Sequence, residues 1–519
     1  MPVFWKHTVP PIDPNSLPKD ADVLRQIVLD LCEQLRHESS EKDKYRSLLR
    51  ELLEAQRNRK CEQLSKEQLA LFETLWKAND PEEEDSEPAA EQDPEEPENP
   101  EEPPAKKRSG RQPLAKDVIR ERIVHDLSEA EKHCGCCGKD LRLIAEETSE
   151  RYEYIPASIK VIEDVRRKYA CDCTVKTPDK PAQPIEKSTA GASMLAHVIV
   201  SKFADHQPLH RQEKIFERHG VRISRKTMGG WLPPVAGLLG PLQELAKKIL
   251  FESKVVGTDD TGVKVLDEKL PYARTGRIWP YRGDQEHPVV VFDYTKTRER
   301  VGPEKFLEGY HGYLQVDAYA GYDAFFKDPG RGLTEVGCWS HARRYYHKAL
   351  ESDVGRMGPA LWFIAELYKV EDRAAAMTAA ERLCLRQIES KPILDQLHGY
   401  LQKIQTEVLP KSPEGRAVRY TLKNWTALTR YCEDGDLSID NNATERDIRG
   451  VAVGRNNWMF FGSDRGGKTA AILRSFTASC QRAGVEPFAW FKDVLSRIAT
   501  HPINRIAELL PHNWKPALA

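Results

Sequence analysis

Apolar residues along this chain change period several times, and each change marks an element. Over residues 20–58, Leu24, Val28, Leu31 and Leu35 fall at a and d of two heptads. Glu38 and Lys42 interrupt the pattern, and Tyr45, Leu49 and Leu52 resume it. This spacing predicts an amphipathic helix, packed on its own chain or paired with a second copy as a short coiled coil. Residues 208–232, PLHRQEKIFERHGVRISRKTMGGWL, predict helix, turn, helix. Ile215 and Phe216 face inward, Gly220 ends the first helix, and Ser224 caps the second. The period then drops to two. Residues 254–266, KVVGTDDTGVKVL, predict a β-branched strand, and RIWPYR and PVVVFDYT continue it as a three-stranded meander. Residues 313–316 predict a fourth strand. Helical spacing returns between residues 344 and 430, clearest in ALWFIAELYKV.

Length and charge add domains to this outline. A chain of 519 residues implies several of them. The net charge of −2 hides a segregation. Residues 80–104 hold thirteen acidic side chains, seven prolines after Asp80 and no Lys or Arg; taking them away leaves +11 on the rest. Such a segment cannot bury enough apolar surface to offset its chain entropy and reads as a disordered linker. A basic arm follows with Lys106, Lys107, Arg108 and Arg111, suited to gripping phosphates. The basic remainder favours a polyanionic partner, which the acidic run would screen. No run of about eighteen apolar residues implies a membrane span, and MPVFWKHTVPP lacks a signal pattern. Eleven scattered Cys point to a reducing cytosol.

Two Cys clusters carry possible metal chemistry. Cys134 and Cys137 in HCGCCGK have the knuckle spacing that converges two thiolates on a tetrahedral ion. Cys171 and Cys173 in ACDCT are one residue tighter. The stretch between them alternates as a hairpin strand through Ile159, Val161, Val165 and Tyr169. The pattern favours a structural zinc ribbon; free thiols in a small β-unit are the alternative.

Acids at three distant places suggest a second metal site. Asp259 and Asp260 sit in mid-strand, where acids are depleted and a buried carboxylate needs a partner. Asp317 directly follows an apolar strand. In IDNNATERDIRG, residues 439–450, Asp440 or Asn441 caps a helix that puts Glu445 in its first turn, where the macrodipole favours a carboxylate. Arg446 and Arg449 flank it, so Glu445 is either half of a surface ion pair with Arg449 or a metal ligand beside a polyanion. Two strand acids and one helix acid suit a pair of hard divalent cations. Arg225 and Lys226 stand at the start of the second helix of the helix-turn-helix, where base or phosphate contacts are made. Residues 462–469, GSDRGGKT, also match a phosphate-binding loop. The fifty residues after Thr469 hold no strand ending in Asp and are too few for a nucleotide-binding sheet.

The ordered blocks KYAC, SKFADHQPLHRQ, TDDTGVKVL, QVDAYAGY, CWSHARR, IDNNATERDIR, GRNNWMFFGSD and HPINRIAELLPHNW together resemble the DDE transposases of the insertion-sequence family sixty-six. The resemblance runs from about residue 106 onward. It implies an α/β catalytic core of ribonuclease-H-like fold with a helical insertion before the last acid. The catalytic and magnesium- or manganese-binding acids it implies are Asp259, Asp317 and Glu445; where the family usually has Glu after its first acid, this chain has Asp260. It implies structural zinc on Cys134, Cys137, Cys171 and Cys173, although the family usually ends that unit in Cys-x-x-Cys. His341, Arg343 and Arg344 of CWSHARR would approach DNA near the acids; a capping role for His341 at a packed helix start is the alternative.

The implied organisation is a helical region (1–79), acidic linker (80–104), basic arm (105–125), zinc ribbon (126–185) and helix-turn-helix region (186–250). The catalytic domain's first part (251–345), a helical insertion (346–435) and a catalytic helix with a C-terminal helical region (436–519) follow. The expected enzyme binds terminal inverted repeats and target DNA in the bacterial cytosol, dimeric on paired ends, with small accessory proteins of the same element as further partners. A DNA-binding repressor without catalysis and a nuclease without joining activity are the alternatives.

Overall fold

A computed structural model describes residues 64–79, 158–171, 174–176, 178–179 and 181–516. The chain divides into two compact units, residues 1–82 with 167–519, and residues 83–166. The predicted helix over 20–58, the acidic linker and the basic arm lie outside the described residues. In the larger unit, β1 (Tyr169–Cys171) and β2 (Thr174–Lys176) form a small antiparallel hairpin. Among the described residues the longer strand expected before it is absent. Residues 158–168 have no regular structure, and Val161 and Val165 are exposed. Alternation makes a strand only where a neighbouring strand or core takes up its apolar face.

The predicted meander is present within a seven-stranded sheet. It comprises β3 (Val255–Thr258), β4 (Thr261–Val265), β5 (Arg274–Arg282) and β6 (Val290–Thr295), then β7 (Gly312–Gln315), β8 (Leu333–Val336) and the short β9 (Phe460–Phe461). The sheet runs β8-β7-β3-β5-β4-β9, with β6 on the other edge of β5. Pairings within the meander are antiparallel; β3–β7, β7–β8 and β4–β9 are parallel.

β3 and β4 are halves of one strand. Thr258 lies opposite Tyr281 and Thr261 opposite Ile278, so a single register runs through both. Asp259 therefore falls opposite Pro280, which has no N–H to return to it. The ladder opens at the two acids, where a single continuous strand was expected. The outer edge of β6 is covered by a helix: Ser475 and Ser479 hydroxyls accept the Phe292 and Val290 N–H groups at 2.8 and 3.0 Å. This satisfies backbone donors that an open edge would leave available for aggregation.

Helices surround this sheet. α1 (Lys66–Asn79) buries Leu71 and Phe72, and an added Cβ at Gly358 would come within 2.6 Å of the Phe72 ring. α2 (Ala192–Phe203) and α3 (Leu209–Arg218) lead to α4 (Arg225–Glu252). As expected, Gly220 makes the turn at φ +78° and the Ser224 side chain accepts from the Thr227 N–H. α4 runs twenty residues further than the motif suggested, straight through Pro233, Pro234 and Pro241. Burial of Leu239, Leu242, Ala246 and Leu250 outweighs the backbone bonds the prolines forfeit.

Between β8 and the next long helix lie α5 (Trp339–Ala349), α6 (Val354–Ala374), α7 (Lys391–Gln405) and α8 (Pro413–Lys423). They share an apolar core with Val336, through residues such as Trp339, Leu361, Ile364 and Leu397. α9 (Asn442–Trp458), α10 (Asp464–Arg482) and α11 (Pro487–Arg497) complete the unit. Among the described residues no helix is long and apolar enough to cross a membrane.

Candidate active site

The broken strand, the end of β7 and the start of α9 carry the three candidate acids, and Asp259 feels the charges of Asp317 and Glu445. Successive strand residues point to opposite faces, so Gly257 and Asp259 share the face that receives α9. An added Cβ at Gly257 would stand 2.3 Å from Thr444 Oγ1 and 3.0 Å from Asn441 Oδ1. Glycine there lets the first turn of α9 rest on the strand. Asn441, the N-cap residue of α9, does not cap with its side chain; its amide crosses to the Thr258 carbonyl at 2.8 Å. At the other end of α9, Arg455 donates to Thr261 Oγ1 and the Gly262 carbonyl at 2.8 and 2.7 Å. The helix is thus tied to both halves of the strand that carries Asp259. Asp317 follows β7, which runs parallel beside β3, and accepts the Tyr319 N–H at 3.1 Å. Ala318 between them has φ +59°, a left-handed turn at the strand end.

The two neighbouring acids on the strand have different surroundings. Burial, followed by the charges of Asp317, Asp260 and Glu445, pushes Asp259 up to about 7, against the pull of the Asp260 N–H. Asp260, with a side chain only 3% exposed, is held on the other face by Arg277 and Arg298, each at 2.7 Å. Arg298 also lies over the Tyr319 ring at 4.1 Å. Asp260 is therefore a structural anion, and Asp260→Ala is expected to cost about 1–3 kcal/mol, reduced from the buried-pair range because both arginines are partly exposed. Denaturant unfolding measures it; a change below about 0.5 kcal/mol would contradict this role.

Glu445 faces α5. Its Oε1 lies 3.5 Å from His341 Nδ1 and its Oε2 3.8 Å from Arg344. His341 Nδ1 and Glu445 Oε1 are both buried without a hydrogen-bond partner. Burial holds His341 below the usual imidazole range, against the opposing pull of Glu445 and Asp317. Cys338, at the N-cap position of α5, accepts the Asn441 N–H at 3.2 Å, and burial pushes its thiol up to about 12. Oxygen donors from three elements, one of them raised to about 7 by burial and then by like charges, suit a hard divalent cation.

The model of the Transposase IS66 family matches residues 187–469, more than half of the chain. The chain belongs to the IS66 transposase family. The IS66 C-terminal element matches residues 475–512, and the zinc-finger binding domain of transposase IS66 matches residues 131–174, a span that includes all four candidate zinc ligands. Two similar proteins come from Sinorhizobium fredii (strain NBRC 101917 / NGR234). "Uncharacterized protein y4hP" is 34% identical over 438 residues, 80% of this chain and 78% of the relative. "Uncharacterized protein y4jD" is 32% identical over 419 residues, 78% and 81% of the two chains.

In this IS66 family member the other candidate residues are dispersed. Arg446 and Arg449 are exposed on α9, and Arg225 and Lys226 are exposed at the start of α4. Arg343 and Arg344 are half-buried on α5. Lys106, Lys107, Arg108, Arg111, Cys134, Cys137 and Cys173 lie outside the described residues, as does the Cys171 side chain. Gly257, Arg298 and Cys338 escaped the sequence reading, and Asn441, expected as a side-chain cap, reaches the strand instead. A lone Gly inside a β-branched run was the one available signal, since it marks a close backbone approach.

GSDRGGKT is the start of α10. Ser463 caps it by accepting the Gly466 N–H, and an added Cβ at Gly467 would come within 2.6 Å of the Tyr294 ring. The glycines admit an aromatic ring, and the Gly466 donor that would cradle a phosphate is already engaged. ATP affinity is expected to be undetectable by calorimetry in both the parent and Lys468→Ala; a micromolar affinity lost on mutation would contradict this.

Proposed function

We propose that the chain is a DDE transposase with Asp259, Asp317 and Glu445 as its catalytic acids. The observation that supports this reading best is that Asp259 feels the charges of Asp317 and Glu445, which add to burial in raising its carboxyl to about 7. A ribonuclease-H-like core is supported by the strand order. An antiparallel meander (β3/β4, β5, β6) is followed by two strands, β7 and β8, parallel to β3. The acids sit on the first strand, after the fourth and on a helix reached through a helical insertion.

Magnesium or manganese bound by the three carboxylates would polarise phosphate oxygens and stabilise charge on the attacking and leaving oxygens. The chain's own residues supply placement. Asn441 and Arg455 fix α9 on the strand, Gly257 allows the approach, and His341 and Arg344 flank Glu445. Arg446 and Arg449 present cations beside Glu445 for the DNA backbone, as Arg343 and Arg344 do from α5. The reaction cuts a phosphodiester at each element end, then joins the freed 3′-hydroxyl to a target phosphorus with loss of the target's own 3′-oxygen. Bond energy is conserved, so no ATP is required.

The zinc ribbon on Cys134, Cys137, Cys171 and Cys173, and the helix-turn-helix of α3 and α4, would find the terminal repeats through Lys106, Lys107, Arg108, Arg111, Arg225 and Lys226. A dimer on paired ends, aided by small proteins of the same element in the bacterial cytosol, completes the proposal. Labelled element ends incubated with and without magnesium test it. Magnesium-dependent nicks at the repeat boundary and joined products are expected. Nicks without joining would indicate a nuclease, and binding without nicks a repressor.

A further inference from the structure

Glu445 is shared between two different sets of donors. Toward the strand it meets carboxylates. Toward α5 it meets a sulfur and a nitrogen: one ligand atom each from Cys338, His341 and Glu445 lies within 4.8 Å of the others. We propose that Cys338, His341 and Glu445 form a second metal site, selective for zinc-class cations, whose occupation withdraws Glu445 from Asp259 and Asp317 and inhibits the enzyme. The inhibition rests on Glu445 being the third catalytic acid; the site itself does not.

Three independent observations carry the site. The first is spacing. Four bonds of about 2.1 Å to a tetrahedral ion put neighbouring ligand atoms about 3.4 Å apart, and His341 Nδ1 and Glu445 Oε1 stand 3.5 Å apart. The second is want of partners: both atoms are buried and neither makes a hydrogen bond, a costly arrangement unless something else satisfies them. The third is the sulfur's setting. Cys338 Sγ receives the Asn441 N–H at 3.2 Å and stands at the N-cap of the eleven-residue α5. This donor fixes the sulfur beside His341 and Glu445, and a metal ion must displace the proton that burial holds on it. On binding, the thiol proton passes to solvent as the sulfur–metal bond forms, and water fills the fourth position.

Thiolate, imidazole and carboxylate together select zinc or cobalt over magnesium, which prefers oxygen alone. A cation bound by Cys338 and His341 would draw Glu445 toward α5 and away from Asp259 and Asp317. A cation in the mixed site therefore competes with the catalytic one through a single side chain.

The test uses the full chain, saturated with zinc and then stripped of weakly held metal on a mild chelating resin. Cobalt(II) is titrated in, and its thiolate charge-transfer band is followed. Wild type should develop the band, Cys338→Ser should lose it, His341→Gln should weaken cobalt binding at least about ten-fold, and Cys134→Ser should keep it. Equal bands in wild type and Cys338→Ser would overturn the site; circular dichroism confirms that each variant is folded. In a second arm, zinc is added to magnesium-dependent end cleavage. Cys338→Ser should need at least about ten-fold more zinc for half inhibition, and equal sensitivity would overturn the competition. Absence of cleavage by every form would refute the catalytic reading while leaving the cobalt result to decide the site.

Discussion

Alanine at Asp259, Asp317 or Glu445 should each lower end cleavage by at least about 10²–10³-fold, the range expected when one electrostatic contributor to a transition state is removed. Terminal-repeat binding should stay within a few-fold, because the residues proposed to bind the ends lie on the basic arm and α4. Asp259→Ala should also spare the fold. Asp259 is raised to about 7 by burial and neighbouring acids, so the metal-free protein gains nothing from its charge, and unfolding should show unchanged or slightly higher stability. Asp260→Ala is the matched control: adjacent in sequence, it should lose stability through Arg277 and Arg298 rather than chemistry. Gel shift, cleavage and denaturant unfolding on the four variants separate these outcomes. Strand transfer retained by any one of the three acid variants would remove that residue from the site.

Gly257→Ala should be nearly as damaging without removing a functional group. The new methyl would stand 2.3 Å from Thr444 Oγ1, so α9 must lift from the strand or the strand must bend. Overpacking of this kind costs about 1–3 kcal/mol. A displacement of about 1 Å at a reacting centre costs about 10²-fold in rate, and Glu445 is the next residue along the helix. Thr444→Ala in the same chain removes the opposing hydroxyl and should restore most of the activity and stability. Activity within about three-fold of wild type in Gly257→Ala alone would mean that α9 does not set the position of Glu445.

Much of this architecture could be read from residue order, because the meander and β7 alternate cleanly and each has a packed partner. Asp317 at a strand end and Glu445 in a helix's first turn followed from strand and capping patterns alone. Other features depend on contacts between distant segments. Nothing local says that Asp259 faces Pro280, that Asn441 reaches across to Thr258, or that Asp260 is claimed by Arg277 and Arg298. The extension of α4 through three prolines was hidden because proline is a local stop signal, whereas burial of Leu239, Leu242 and Leu250 is a property of the assembled core. The alternation through Val161 and Val165 misled for the converse reason, since a local pattern without a partner surface does not make a strand. Glu445 was posed as a partner for Arg449 or a ligand; its neighbours His341 and Arg344 come from a helix about a hundred residues earlier.

Iron-mediated cleavage of the polypeptide tests the central claim most directly. Ferrous ion replaces magnesium in a hard oxygen site, and with ascorbate and peroxide it cuts the backbone next to whatever holds it. Cuts beside residues 259, 317 and 445 together, suppressed by excess magnesium and lost as a set in Asp259→Ala, are the predicted result. Cuts at only one of the three positions, or a pattern unchanged in Asp259→Ala, would contradict a single cation cage built from these acids.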